Sequence, residues 1–218
     1  KSITIWENDR RKGLIMATDR EQIKEFLDIA SEQMKIWMDS IDVEALSTAK
    51  KLILDAEANK NRVHVTGIGK PGHVAGYAAS LLSSTATPAY ELHGTEAVHG
   101  SSGQVLPGDV VIAISNSGET MELKATVETL KKNGAKIIAL TGKPESWLAK
   151  AGDVALIAGV AQEGDSMNKP PRASILVEIM MLQCLSILLQ NEKHLDPKQY
   201  VKWHPGGSLG KSIREGEK

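Results

Sequence analysis

The sequence has few of the features that mark specialised protein classes. Its 218 residues include one cysteine, Cys184, and aromatic residues make up 4% of the chain. A single cysteine cannot form an internal disulfide, which excludes a disulfide scaffold and predicts a reducing, cytoplasmic location. The 26 basic and 27 acidic residues nearly cancel, so neither nucleic acid nor an anionic membrane is expected as a partner.

Long apolar runs are also scarce. The N-terminus has no apolar signal core, and the most apolar run, Ile175 to Leu189, is interrupted by Glu178, Gln183 and Ser186. This run is shorter than the roughly 20 residues that span a bilayer. We therefore expect no membrane-spanning segment, and a chain of this length can bury the core of one domain.

The sequence does contain a regular alternation of strand and helix patterns. Residues 1–18 are polar and predict an irregular arm, and two amphipathic helices then begin near Thr18 and Val43. Five apolar segments suited to buried parallel strands follow, separated by helical stretches, at residues 62–66, 88–92, 109–114, 135–140 and 153–157. This order predicts an α/β fold, a doubly wound five-stranded parallel sheet, in one domain covering residues 19–218.

Ligands of such sheets bind beyond the carboxyl ends of the strands. The first predicted strand is followed by G-I-G-K-P-G at residues 67–72, which matches G-x-G-x-x-G. Glu91 lies about where a dinucleotide-binding fold places its ribose-binding acid. A nicotinamide enzyme is therefore an alternative, but this motif alone is weak and its loop carries Lys70.

A second loop suited to an anion follows the third predicted strand. Its sequence, S-N-S-G-E-T at residues 115–120, places three hydroxyls and an amide where a helix begins. Free backbone N–H groups and the helix dipole favour an anion there. The loop contains no lysine or arginine, which favours a monophosphate over triphosphate chemistry with Mg²⁺. A helix cap by Ser117 or Thr120 explains only part of this polar run.

Five segments resemble, in the same order, motifs of the SIS (sugar isomerase) domain family, and within it of the arabinose-5-phosphate isomerases. They are G-I-G-K at 67–70, E-A-V-H-G at 96–100, I-A-I-S-N-S-G-E at 112–119, T-G-K-P-E-S at 141–146 and H-P-G-G-S-L-G at 204–210. The resemblance implies a flavodoxin-like fold that binds a phosphosugar. It also implies an aldose–ketose isomerase that uses no metal and no cofactor.

The same resemblance implies two sets of site residues. The catalytic set comprises Lys70, His99, Glu122, Glu163 and His204, and the phosphate-binding set comprises Gly69, Ser115, Asn116, Ser117 and Thr120. Isomerisation through an enediol needs a base, an acid and a group that stabilises the developing oxyanion, and these residue types supply all three. Which glutamate is the base stays open, and each has a plainer interpretation, Glu122 as a dipole partner and Glu163 as a solvated loop residue.

Three departures from the family pattern predict a different sugar specificity. Pro71 replaces the serine that usually follows the loop lysine, and Ser101 and Ser102 replace an aspartate and a leucine. Near the last long helix, Lys169 and Arg172 add two positive charges where the family is rich in serine and threonine. Another SIS isomerase, such as a hexulose-phosphate isomerase, and a non-catalytic phosphosugar sensor therefore remain alternatives.

The family resemblance also bears on assembly. It implies a homodimer or homotetramer in which a neighbouring subunit completes each active site. His204 fits this arrangement, because it lies beyond the last long helix in a segment with little apolar content. The common family form continues into tandem CBS domains, whereas this sequence ends at Lys218.

Overall fold

A parallel sheet of five strands organises the chain. The computed structural model describes residues 17–204, so most of the predicted arm and the tail after His204 lie outside the described residues. The strands are β1 (Val63–Gly67), β2 (Ala89–Glu91), β3 (Val110–Ile114), β4 (Lys136–Thr141) and β5 (Val154–Ile157). All pair in parallel, in the order β2-β1-β3-β4-β5, which is the flavodoxin-like order. The predicted fold class is confirmed.

Within the described residues, seven α-helices surround or extend the sheet. They are α1 (Asp19–Asp39), α2 (Val43–Ala58), α3 (Lys70–Ser84), α4 (Met121–Lys132), α5 (Trp147–Ala151), α6 (Ala173–Glu192) and α7 (Pro197–Trp203). Thr18 and Glu21 form a capping box at the start of α1, close to where the sequence pattern predicts that this helix begins. Two short 3-10 helices, Glu96–His99 and Ser101–Gln104, connect β2 to β3. The sequence pattern did not indicate these turns or α7.

Each strand buries side chains on both faces of the sheet. On one face, alternate residues such as Val65, Ile112 and Leu140 pack with α2, α3 and α6. On the other, residues such as Val111 and Ala139 pack with α4 and α5. A sheet covered on both faces explains why the strand segments read as continuous apolar runs.

Helix α6 is longer than its apolar run suggested. It extends from Ala173 to Glu192 and is long and apolar enough to cross a membrane by length and composition, so the expectation that it was too short is wrong. Half of its most apolar window is buried against the rest of the fold. It packs on α3, α2 and α1, as the core helix of a folded domain does.

Candidate functional site

The two loops that the sequence indicates as suited to an anion, after β1 and after β3, leave the sheet side by side. Gly67, the last residue of β1, pairs with Ile114, the last residue of β3. The chain continues from β1 to β2 on one side, while β3 and β4 extend the sheet on the other, so this is the point where the strand order reverses. Loops that diverge at such a point leave a crevice for a ligand.

The loop after β1 depends on its glycines for backbone geometry. Gly69 has φ 68° and ψ −130°, a conformation that side chains other than glycine rarely adopt. A Cβ on Gly67 would lie 2.7 Å from the carbonyl carbon of Pro71. Lys70 is the first residue of α3 and is exposed, and Pro71 occupies the first helical turn without an N–H to donate. The loop therefore presents an exposed lysine but few amide donors.

In the loop after β3, Thr120 does not serve as an ordinary helix cap. Thr120 is the N-cap residue of α4, yet its side chain accepts no hydrogen bond from the helix. Its hydroxyl lies 3.0 Å from the hydroxyl of buried Ser115, whose oxygen accepts the amide of Gly118 at 3.1 Å. The side chain of Thr120 therefore accepts no hydrogen bond from the first backbone amides of α4. The hydroxyls of Ser115 and Thr120 instead lie together at this helix start. This arrangement suits a bound anion.

The segment after β4 braces the same loop from outside. The amide of Gly142 donates to the carbonyl of Asn116 at 2.9 Å, and the amide of Leu148 donates to the carbonyl of Gly118 at 3.1 Å. The carboxylate of Glu119 accepts the amide of Trp147 at 2.7 Å. These contacts explain why the T-G-K-P-E-S segment accompanies the serine-rich loop: it fixes the loop's backbone without engaging the hydroxyls of Ser115, Ser117 and Thr120.

Glu122 and His99 both lie at exposed positions around this crevice. Glu122 is in the first turn of α4, and His99 ends the 3-10 helix that packs against α4. The hydroxyl of Thr126 also donates to the carbonyl of Gly94, which ties α4 to the loop after β2. The Glu122 and His99 side chains are therefore open to solvent and to a ligand.

Glu163 is not the solvated loop residue that its plainer interpretation predicts. Its side chain is buried, and its Oε2 accepts the amides of Arg172 at 2.7 Å and Ser174 at 3.1 Å. Its own amide donates to Asn168 Oδ1 at 2.6 Å. Arg172 and Ser174 are at the start of α6, so the Glu163 carboxylate caps that helix and meets the positive end of its dipole.

A second acid, Glu178, lies close to Glu163 and was not recognised in the sequence. It is fully buried on α6, and neither carboxylate oxygen has a partner among the described residues. Burial, with the charge of Glu163 second, raises the pKa of Glu178 to about 8. Its position inside the most apolar run of the sequence was the available signal.

The two positive charges expected near α6 are not equivalent. Arg172 Nε donates to Asp165 Oδ2 at 2.9 Å, and this contact and two backbone amides lower the pKa of Asp165. Lys169 is exposed. Asp165 therefore offsets the positive charge of Arg172, whereas Lys169 adds an exposed positive charge.

His204 directly follows the last residue of α7 and is its C-cap residue. Its Nδ1 lies 2.8 Å from the carbonyl of Tyr200, and its ring stacks on the Tyr200 ring with centroids 4.0 Å apart. Helix α7 buries none of its residues within the described chain. The structure thus orients the His204 ring but does not join it to the Ser115–Thr120 loop.

Two cavities flank these elements. One, of about 280 Å³, lies between the β1 and β2 loops and is lined by Gly69, His73, Glu91, His93 and Thr95 among others. The second, of about 410 Å³, lies between α1 and the loop that carries Asp165 and Arg172. Across residues 17–204, no three histidine, cysteine or acidic side chains are grouped as metal ligands.

Comparison with known proteins gives consistent matches. The family model for the SIS domain matches residues 58–188. Arabinose 5-phosphate isomerase KdsD of Pseudomonas aeruginosa is 41% identical over 156 residues, covering 72% of this chain and 48% of the relative. KdsD of Francisella tularensis is 36% identical over 182 residues, covering 84% of this chain and 55% of the relative. The chain spans about half the length of these curated relatives.

One solved structure matches this chain over nearly all of its own length. Escherichia coli CFT073 c3406, in complex with arabinose 5-phosphate, superimposes with a TM-score of 0.79 at 33% identity. The match covers 84% of this chain and 95% of that one.

Proposed function

Because the chain belongs to the SIS domain family, we propose that it is a sugar-phosphate isomerase that interconverts an aldose phosphate and a ketose phosphate. The interconversion of ribulose 5-phosphate and arabinose 5-phosphate is the leading candidate, since relatives at 36–41% identity carry the name of that activity. The observation that carries the proposal is the Ser115–Thr120 hydroxyl pair beside the uncapped start of α4.

In the proposed mechanism, the phosphate binds at the loop after β3. Ser115, Ser117 and Thr120 donate hydroxyl hydrogen bonds, Asn116 contributes its amide, and the first N–H groups of α4 complete the cradle. Gly69 allows the neighbouring β1 loop to turn so that Lys70 faces the crevice and stabilises negative charge on the enediol oxygen. The sugar then extends from the phosphate toward the edge that carries His99.

The proton transfers are assigned to Glu122, Glu163 and the two histidines. One carboxylate removes the proton from the carbon next to the carbonyl and returns it to the neighbouring carbon. His99 and His204 exchange protons with sugar oxygens as general acids and bases. The two glutamates differ in environment: Glu122 is exposed, whereas Glu163 is buried and held by two amides.

We also propose a cytoplasmic homodimer or homotetramer whose subunits share active sites. Helix α7 buries none of its residues and ends at His204, which supports delivery of this histidine to a neighbouring subunit. Exposed apolar side chains of α1, including Ile23, Leu27 and Ile36, offer contact area. Helices α1 and α2 pack on α6, which supports one SIS unit that includes both helices.

Two departures from the family pattern support a second candidate sugar within the same reaction class. Pro71 removes one hydroxyl and one amide from the β1 loop, and Lys169 adds an exposed charge. A hexulose-phosphate isomerase is therefore the second candidate, and a non-catalytic phosphosugar sensor is the third.

Incubation with a panel of aldose and ketose phosphates in D₂O, followed by proton NMR, tests the proposal. We expect loss of the exchangeable C–H signal and appearance of the isomer for at least one pentose or hexose phosphate. The double variant Glu122→Gln/Glu163→Gln is the control and should show neither. Binding without exchange would favour the sensor, and absence of both binding and exchange would overturn the proposal.

A further inference from the structure

Glu178 is a buried acid that the proposed mechanism does not use. It is 0% exposed in the second turn of α6, on the core-facing side, and its two carboxylate oxygens have no partner in the described chain. Ser174, one turn earlier on the same helix, is also 0% exposed with an unpartnered hydroxyl among the residues described. Burial of an unpartnered carboxyl is costly, so this position calls for an explanation beyond packing.

The geometry of α6 directs Glu178 toward Glu163. Residues four apart in a helix share a face, and helical side chains tilt toward the N-terminus, so the Glu178 side chain extends toward the turn that contains Ser174. The amide of Ser174 is one of the two donors to Glu163. The charge of Glu163 in turn acts on Glu178. The two carboxyls therefore interact at the start of α6.

Among the described residues, the other charged groups around α6 form no hydrogen bond with the Glu178 carboxyl. Every ionisable side chain of α1 within the described residues is exposed, as are Lys70, His73 and Tyr77 on α3. On α2, Lys50 pairs with Glu192 and Glu57 with Lys193, both near the opposite end of α6, while Glu44, Lys51 and Asp55 are exposed. At the start of α6, Arg172 pairs with Asp165.

We propose that Glu178 is a positioning residue for Glu163, which stays bound to the amides of Arg172 and Ser174 only while Glu178 is uncharged. This inference rests on the proposed isomerase function, in which Glu163 takes part in proton transfer. Ionised Glu178 places a second negative charge behind Glu163, and repulsion in a buried site weakens its hold on the helix start. Glu178 thereby sets an alkaline limit on activity without touching the substrate.

The test is the pH dependence of kcat/KM in the wild type and in Glu178→Gln, which keeps the shape of the neutral acid. In the wild type we expect kcat/KM to fall as pH rises through about 8. In the variant this fall should move by at least about one pH unit, with activity near neutral pH within about threefold of wild type. Glu178→Met, a second uncharged variant, should behave alike if the glutamine protein folds poorly.

Two further measurements separate this inference from the proposed function. Glu192→Gln removes an exposed acid from the same helix and should leave the pH profile unchanged. Infrared difference spectra should show a protonated carboxyl band at neutral pH that is absent from Glu178→Gln. A wild type without turnover would overturn the proposed function, whereas the infrared band still decides the state of Glu178. Absence of that band, or superimposable pH profiles in active proteins, would overturn this inference.

Discussion

The hydroxyls of Ser115 and Thr120 lie 3.0 Å apart at the start of α4, although the two residues belong to different ends of the same loop. Ser115 Oγ already accepts the amide of Gly118, so its own hydrogen is free to be donated. Thr120 is the N-cap residue of α4, but its side chain accepts no hydrogen bond from the helix amides. The loop therefore pairs these two hydroxyls with each other, and both can rotate outward to an anion.

Replacement of Ser117 or Thr120 by alanine should raise KM for phosphosugars. Each variant loses a hydroxyl donor to a charged group, which is worth about 1–3 kcal/mol, or roughly 5- to 150-fold in KM. Steady-state kinetics on both variants checks this. Thr129→Ala, which removes an exposed hydroxyl two turns further along α4, is the matched control. Unchanged KM in both loop variants would exclude this loop from the site.

Glu122→Gln and Glu163→Gln should separate catalysis from stability. The variant that loses the base should lose at least about 100-fold in kcat. Only Glu163→Gln should also lower the free energy of unfolding, by about 1–2 kcal/mol, because its carboxylate caps α6. Glu128→Gln, an exposed change on α4, provides the baseline. Near wild-type turnover in both variants would contradict the mechanism.

Gly118→Ala should destabilise the fold and weaken phosphosugar binding together. Gly118 has φ 66°, and a Cβ there would lie 2.8 Å from Thr141 Oγ1 and closer still to Ser146. We expect a loss of about 1–3 kcal/mol in urea unfolding. Gly103→Ala is the control, because a Cβ at Gly103 meets nothing within 4 Å. Equal stability of the two variants would show that residues 141–148 do not pack closely enough against Gly118 to exclude a Cβ.

The sequence was sufficient to predict the sheet, because buried parallel strands are apolar on both faces and stand out as runs. It also predicted that the loops after β1 and β3 leave the sheet at its ligand-binding edge, since the carboxyl ends of parallel strands share one edge. That the two loops are neighbours came from the strand order of the structure. The sequence could not predict that Glu163 is buried, because the amides of Arg172 and Ser174 that hold it come from residues nine and eleven positions away. Helix α7 is short and has no apolar stripe of its own, so its sequence pattern did not indicate it. For Glu178, the acid's position inside the most apolar run was a signal, but the sequence does not show that its carboxyl is buried without a partner among the described residues.

The stability of the wild type should fall with rising pH because of Glu178. Its pKa is raised from 4.5 to about 8 in the fold, so between these values the folded protein holds a proton that the unfolded chain releases. The contribution is therefore complete below about pH 4.5 and is lost as pH rises to about 8, at up to about 1.4 kcal/mol per pH unit. Urea unfolding of Glu178→Gln across this range should lack this slope. An equal slope in both proteins would show that Glu178 titrates normally.

Complementation between two inactive variants tests the shared active site. His204 is held on α7 by Tyr200, and that helix buries none of its residues in the described part of its own chain. If His204 completes a neighbour's site and Glu122 is the base, Glu122→Gln and His204→Ala are each inactive alone, because every site lacks one group. Once subunits exchange, a mixture contains hybrid oligomers in which some sites regain both groups, because the subunits of a closed symmetric oligomer occupy equivalent positions. In a freely exchanging dimer, about one quarter of all sites should then be intact.

The control mixture is Glu122→Gln with Glu163→Gln. Both residues belong to the SIS core of one chain, so hybrids of these two variants should regain no activity. Subunit exchange is followed independently by mass spectrometry of differently tagged chains. An active monomer in light scattering, or exchange without recovered activity, would show that His204 serves the site of its own subunit.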